Sequence, residues 1–268
     1  MNITKNVRNF CYGLYDLRKL DREGRNPDGP VVSLTSVPRR IQLIKPTIVS
    51  LLKQKLKPKK IEINLGEDLF RGYNIPDFLH GMESVEVHWQ QQDCGPATKL
   101  IATLERYRGS SEMIVVVDDD MYYSDELLGS LVRCDREAGG KRVFCINGFL
   151  LPRDLRAESV GSDKALRSGC RKVAIIEGCG GYIMRSDHLD HTILLDRTGA
   201  PDRALYDDDV WISGHLSRVG IEKFQIPTGK RKSLLNTRES AIGGNRAQLQ
   251  TDLMCHFTDD WKRDEYET

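Results

Sequence analysis

Two runs of three aspartates carry the most chemical content in this sequence, Asp118-Asp119-Asp120 and Asp207-Asp208-Asp209. The first follows directly on the aliphatic stretch Ile114 to Val117. Carboxylates crowded at the end of an apolar segment repel one another and lose hydration. A purely structural role is therefore costly unless a cation or several hydrogen bonds compensate. A hard divalent ion, Mg2+ or Mn2+, suits carboxylate oxygens and fills the rest of its shell with water and substrate phosphates. The plain alternative is a solvated acidic turn that caps a helix at Ser124. In the second run, a partly desolvated carboxylate among other carboxylates has its pKa raised toward a value useful to a general base. The alternative there is that all three acids complement the dipole of the helix that follows, with Asp207 as its cap.

Four further segments hold suitable groups. Lys99 sits in the first turn of a helix expected from Pro96 to Tyr107, where a cation opposes the helix dipole unless an anion lies close. A phosphate or the aspartate cluster would supply that anion. Arg39 and Arg40 follow Pro38, placed either to reach phosphate or to form the solvated face of a helix start. In Glu177-Gly178-Cys179-Gly180-Gly181-Tyr182 the glycines permit close backbone approach, although a strand bend explains them equally well when taken alone. Lys230, Arg231 and Lys232 form a basic loop, either closing over a diphosphate or simply solvated.

The elements that must position these groups alternate between two periods. Val31 to Thr35 reads as a strand, followed by a turn and by helical spacing through Ile41, Ile44, Ile48, Leu51 and Leu52. Lys60 to Leu65 and Val85 to Trp89 are further strands, and Met113 to Val117 is a continuous aliphatic run of the kind covered on both faces. A helix from Ser124 to Ala138, strands at Arg142 to Asn147 and Val173 to Ile176, a loop or flap up to Arg171, and a helix from Val210 to Val219 complete the pattern. Such alternation predicts an α/β fold with a central, mostly parallel sheet whose ligands bind at the carboxyl ends of the strands. Residues 1–29 read as a helical, amphipathic extension, and residues 30–268 as one domain. The aromatic stripe from Phe10 to Leu17 either packs on that domain or touches a membrane or acceptor lipid.

Composition excludes several classes. Forty basic and thirty-nine acidic residues leave a net charge of +1, so no global field draws the chain onto nucleic acid. No apolar run approaches the roughly 18 residues of a membrane span, and Met1 to Asn9 is polar. The expectation is a soluble, cytoplasmic protein with peripheral membrane contact left open, and no signal for an oligomeric state. Seven scattered cysteines without a C-x-x-C indicate neither a disulfide framework nor a zinc site.

Val117-Asp118-Asp119-Asp120 resembles the D-x-D motif of glycosyltransferases with the GT-A fold, the Rossmann-like nucleotide-diphospho-sugar transferases. Ser33-Leu34-Thr35-Ser36-Val37-Pro38-Arg39-Arg40-Ile41 and Ser50-Leu51-Leu52-Lys53-Gln54 resemble a bacterial and viral glycan-synthesis branch of them, similar to family 2. Gly95 to Leu100, Glu177 to Tyr182 and Tyr206 to His215 match further motifs in family order, so the resemblance covers roughly residues 30–226. It implies a metal-dependent transferase that moves a sugar from a nucleotide-sugar donor, a UDP-sugar for preference, to a hydroxyl of a glycan or glycolipid with inversion.

By the same resemblance Asp120, Asp118 and His256 hold Mn2+ or Mg2+. The donor nucleotide meets Thr35, Arg40, Asn64, Lys99, Asp118 and Asp119. Glu177, Gly180, Gly181 and Trp211 line the sugar and acceptor side, where Trp211 either stacks on a sugar or belongs to the core. Asp209 is the base, with Asp208 the alternative. A nucleotidyltransferase or phosphotransferase, and a non-catalytic nucleotide- or carbohydrate-binding module, are the rival readings. The first lacks a glycine between Ser33 and Arg40 for a phosphate loop, and the second predicts a lost acidic station where both are intact.

Overall fold

Met113 to Val116 offer no polar side chain to solvent on either face, and this segment lies in the middle of the sheet. The computed structural model describes residues 16–67, 72–161, 166–227, 232–233 and 245–267. In chain order the strands are β1 (Val31–Thr35), β2 (Lys60–Gly66), β3 (Val85–Gln90), β4 (Met113–Val116), β5 (Met121–Tyr122), β6 (Val143–Cys145), β7 (Gly148–Phe149), β8 (Arg171–Val173), β9 (Ile175–Ile176), β10 (Tyr182–Arg185), β11 (Lys223–Gln225) and β12 (Lys232–Ser233). The helices are α1 (Leu17–Arg22), α2 (Lys45–Leu52), α3 (Thr98–Arg106), α4 (Leu127–Glu137), α5 (His191–Leu195), α6 (Asp208–Arg218) and α7 (Arg246–His256).

Eight strands form one sheet in the order β3-β2-β1-β4-β10-β6-β11-β8. The run β3-β2-β1-β4 is parallel, as the alternating pattern predicts. β10 enters antiparallel between β4 and β6, and β8 closes the far edge antiparallel to β11. Because β10 is reversed, its amino end lies beside the carboxyl end of β4, with Tyr182 opposite Val116. The segment predicted as one strand from Val173 to Ile176 is split. β8 joins the main sheet, whereas β9 pairs with β7 in a separate ribbon. The bend between them falls at Ala174, whose N–H leaves the main ladder and donates to the Phe149 carbonyl at 2.9 Å.

The sheet has two covered faces, and alternate residues of β4 serve them in turn. Ile114 and Val116 pack with α3, α6 and α7, while Val115 and Val117 pack with α2 and α4. Leu17 of α1 belongs to the second cluster, and Asp21 accepts hydrogen bonds from the N–H groups of Glu83 and Ser84 at 2.7 and 2.9 Å. This part of the N-terminal lead-in is therefore docked on the domain. Phe10 to Tyr15, the rest of the aromatic stripe, lie outside the described residues. No helix among the described residues is long and apolar enough to cross a membrane.

The C-terminal segment, silent as a motif, is bound into the same core. Phe257 lies over Gly214 of α6, and the buried pair Lys223–Glu265, at 2.7 Å, ties the chain end to β11. A Cβ on Gly214 would fall 2.3 Å from the Phe257 ring. Gly214→Ala is therefore expected to destabilise the fold by about 1–3 kcal/mol through overpacking. Thermal unfolding followed by circular dichroism checks it, and an unchanged midpoint would show that α6 and α7 are not in firm contact.

Candidate active site

The strand order places the site. β1 and β4 end side by side where the chain order of the sheet reverses, the position at which open α/β sheets bind ligands. The chain leaves β4 as Asp118-Asp119-Asp120 and leaves β1 toward Arg40. The Glu177–Gly181 turn arrives beside them because β10 runs backward. That turn closes through bonds from Gly180 N–H to the Glu177 carbonyl and from Gly181 N–H to the Gly178 carbonyl. Gly181 takes φ of +87°, in the left-handed region that favours glycine.

Lys99 joins the two acidic runs. Its Nζ lies 2.7 Å from Asp118 and 3.0 Å from Asp208, and the residue is only 3% exposed. Burial works against a charged lysine, yet Asp118, Asp208 and Asp209 hold this ammonium protonated well above the usual lysine range. The lysine that the helix dipole marks as needing an anion thus takes the aspartate cluster. A Cβ on Gly178 would fall 2.6 Å from Nζ and 3.2 Å from Asp118, so a side chain here would push the ammonium away from its position.

The carboxylates are held unequally. For Asp118, burial is overcome by the charge and hydrogen bond of Lys99, which keep it below the usual carboxylate range. Tyr123 supports its backbone, accepting from the Asp118 N–H at 2.8 Å. Asp120, half-buried, is raised by burial and by the neighbouring Asp118. Asp208 is raised by burial against the opposing pull of Lys99, and Asp209 is raised furthest, by burial and then by Asp208. One oxygen of Asp209 accepts the Gly178 N–H at 2.9 Å, which orients the carboxylate. Asp207 caps α6 by accepting the Val210 N–H at 3.3 Å, the role its position suggests.

Several expected contacts are corrected by the packing. Asp119 does not face the cleft between Asp118 and Asp120. It is 3% exposed and turned inward, accepting from the Ser36 hydroxyl and pairing with Arg40 at 2.8 Å. Asn64 is fully buried and spends its amide on Ser33, Thr103 and Arg106, so it has no group left for a nucleotide. Trp211 is 1% exposed, and its indole N–H donates to the Leu194 carbonyl at 3.0 Å. Of its two readings the core is the correct one, because no ring face is open to a sugar. His256 stacks on Trp211 at the far end of α7. Arg246, which reaches the second acidic run, opens the same helix, and ten residues separate them by ~15 Å. The charged neighbours of His256 are Arg218 and Asp260, not the aspartates of either run.

Thr35, half-buried at the end of β1, donates its hydroxyl to the Asn64 carbonyl at 2.6 Å. Glu177 is half-buried at the mouth of the turn, and Gly180 rests against Asn147. In the basic loop, the backbone of Lys232 pairs with Tyr122, two residues beyond Asp120, while Lys230 and Arg231 lie outside the described residues.

Two groups at the site lie outside the site residues that the sequence marks. Arg246 reaches Asp207 at 3.3 Å and Asp209 at 3.8 Å from far along the chain. The Tyr182 hydroxyl is buried without a hydrogen-bond partner among the described residues, and burial, with Asp208, Asp209 and Asp118 close by, pushes it well above the usual phenol range.

Among the described residues, six carboxylates therefore share three cations, Lys99, Arg40 and Arg246. Hard oxygen donors and surplus negative charge fit Mg2+ or Mn2+, which need only one or two protein carboxylates when water and phosphate supply the rest. Among the described residues, the three acid or histidine groups whose ligand atoms lie within 4.8 Å of one another are Glu62, Glu86 and His88. Arg106 and Lys60 already neutralise those two glutamates, so they lack the surplus charge that a divalent ion would answer.

Removing the bridging cation tests its place in the fold. Lys99→Met leaves carboxylates buried without a counter-charge, a change that costs about 3–5 kcal/mol. A carboxylate depressed in the folded state, as Asp118 is, contributes stability above its unfolded pKa that is lost as pH falls through its folded value. The gap between variant and wild type should therefore stay full from neutrality down to a pH of about 4 and shrink below it, as Asp118 takes up its proton. Urea unfolding at several pH values measures it, and a gap independent of pH would show that Lys99 is held for its packing alone.

No protein-family model matches the chain, and no curated protein matches it at a significant level. Solved structures do resemble it. GalNAc-T7 with UDP, GalNAc and Mn2+ superposes with a TM-score of 0.52 at 10% identity, over 87% of this chain and 48% of that one. Staphylococcus aureus TarS residues 1–349 gives 0.49 at 13% identity, over 76% of this chain and 59% of that one. The mannosyltransferase PcManGT from Pyrobaculum calidifontis, in complex with GDP-Man and Mn2+, gives 0.47 at 13% identity, over 96% and 79%. The chain thus spans 59% and 48% of the lengths of TarS and GalNAc-T7. At such identities the likeness is one of architecture. The fold is the α/β GT-A arrangement of glycosyltransferases, a large mixed sheet flanked by helices.

Proposed function

We propose that this chain is a metal-dependent glycosyltransferase that moves a sugar from a nucleotide-sugar donor, a UDP-sugar for preference, onto a hydroxyl of a glycan or glycolipid with inversion. The observation that carries the reading is Lys99, which holds Asp118 and Asp208 within two hydrogen-bond lengths of each other. A station suited to a metal and a diphosphate and a station suited to a base thereby share one cleft. The GT-A fold supports the reading, and the structural neighbour GalNAc-T7 holds UDP, GalNAc and Mn2+.

In this proposal Asp118 and Asp120 hold Mn2+ or Mg2+, whose chemistry when bound is Lewis-acid stabilisation of the departing nucleoside diphosphate. Thr35 and Arg40 lie on the donor side, and Glu177 on the side of the sugar and acceptor. Asp209 takes the proton of the acceptor hydroxyl, with Asp208 the alternative. The Gly178 N–H fixes one Asp209 oxygen, and the other, 3.8 Å from Arg246, is the one offered to the acceptor. A raised carboxylate pKa makes the base stronger, at the cost of requiring a higher pH before it is ionised.

Titration calorimetry of UDP, GDP and their common sugar conjugates, with Mn2+ and then with EDTA, is expected to show metal-dependent binding that Asp120→Ala abolishes. Absence of binding by a folded wild type under every condition would count decisively against the proposal.

For the chemical step, Asp209→Asn should keep nucleotide binding and lose about 10²–10⁴-fold in kcat. The wild-type rate should rise with pH through an acidic limb well above the usual carboxylate range, following the raised Asp209. A limb near the ordinary value of about 4, or an active Asp209→Asn enzyme, would remove Asp209 from the role of base.

A further inference from the structure

Arg40 stands beside the carboxylates where the proposed ion would bind. Its guanidinium pairs with Asp119 at 2.8 Å and reaches Asp120 at 3.8 Å, and its side chain is 24% exposed. Asp119 is the fixed anchor, because Ser36 donates to its other oxygen and Thr47 donates at 2.7 Å to its backbone carbonyl. Ser36 is itself held, since its carbonyl accepts from the Tyr73 hydroxyl at 2.7 Å. The guanidinium is therefore clamped on its Asp119 side and can adjust on its Asp120 side. Its Nε–H is buried and finds no acceptor among the described residues, so one strong donor is unspent. Arginine cannot relieve this by losing its proton, and its planar fork matches the oxygens of a phosphate.

A divalent ion arriving alone at Asp120 meets this fixed positive charge and gains less than two free carboxylates would give it. An ion arriving with a diphosphate meets a different balance. The phosphate oxygens satisfy the unspent Nε–H, and their negative charge offsets the repulsion between guanidinium and metal. We propose that Arg40 is a built-in cation that weakens metal binding by the empty cleft and strengthens it when a nucleoside diphosphate is present, so that the two are taken up as a unit. This rests on the reading of Asp118 and Asp120 as the metal station and adds to it an order of uptake.

The experiment is Mn2+ binding, followed by titration calorimetry and by the electron paramagnetic resonance of free Mn2+, with and without UDP or GDP. It uses the full chain as wild type, Arg40→Met, Arg40→Lys and Asp120→Asn. In the wild type, Mn2+ affinity should rise about tenfold or more when the nucleoside diphosphate is added. Arg40→Met keeps the aliphatic stem without the charge. It should bind Mn2+ alone about tenfold more tightly than wild type and lose most of the diphosphate's effect. Arg40→Lys, which restores the charge, should return Mn2+ alone to weak binding, and this separates charge from any change of fold seen by circular dichroism.

Unchanged Mn2+ affinity in a folded Arg40→Met, with Asp120→Asn losing the ion, would overturn the role of Arg40 and leave the metal station standing. Equal Mn2+ affinity of the wild type with and without diphosphate would do the same, even if Arg40→Met failed to fold. Mn2+ binding that survives Asp120→Asn, or no Mn2+ binding in any form, would overturn the metal station and this inference together.

Discussion

Lys99 holds its ammonium between Asp118 and Asp208 in a place nearly closed to water, and the three charges are tolerable there only as a group. The three residues come from different parts of the chain. Asp118 leaves β4, Lys99 opens α3 and Asp208 opens α6, so one ion-paired group fixes a strand end against two helix starts. The backbone takes part as well, because the Lys99 carbonyl accepts the Ser33 hydroxyl of β1. A side chain at position 178 would displace the ammonium from this place. The turn that holds Gly178 can lie there because β10 runs antiparallel beside β4. An all-parallel sheet would have put the amino end of that strand, and the turn before it, at the opposite edge.

The same electrostatics separates Asp118 chemically from Asp208 and Asp209. Lys99 gives its shorter contact to Asp118, which stays ionised, while Asp208 and Asp209 crowd each other under burial and are raised. A carboxylate that stays charged suits cation binding, and one that holds its proton more tightly suits proton transfer. Carboxylates of one residue type thus acquire different capacities from their surroundings alone, even within the first run, where Asp118 is lowered while burial raises Asp119 and Asp120.

The main parallel strands, both aspartate runs and the need of Lys99 for an anion are all legible in the sequence. Each rests on a local rule, whether aliphatic continuity, charge crowding or the dipole of a first helical turn. What stays hidden is set by contacts between distant segments. Asn64 and Asp119 differ from cleft residues only in the direction their side chains take, and that direction depends on Arg106, Ser36 and Arg40 closing over them. Trp211 follows the acidic run closely enough to resemble a sugar platform, yet the helical turn carries it to the Leu194 carbonyl and the Phe257 ring. Arg246 has no local signal at all, since its partners lie far upstream and its helix falls outside the motifs. The reversal of β10 is equally unreadable, because the glycine turn before it is compatible with a simple bend.

The three cations differ in a way that bears on how such a site works. The Lys99 side chain is 4% exposed, that of Arg40 24% and that of Arg246 67%. Breaking a buried pair strands a charge away from water and is strongly resisted, whereas an exposed pair contributes little and exchanges partners readily. Lys99 is therefore fixed by desolvation, and the adjustable charge lies at the two rims. Arg40 adjoins the aspartates that follow β4, and Arg246 adjoins those that open α6. The cleft can thus change its charge balance at either end without disturbing the ionised group that joins its halves. Arg40 stays paired with the buried Asp119 and Arg246 with the buried Asp207, so any adjustment is confined to their longer contacts with Asp120 and Asp209.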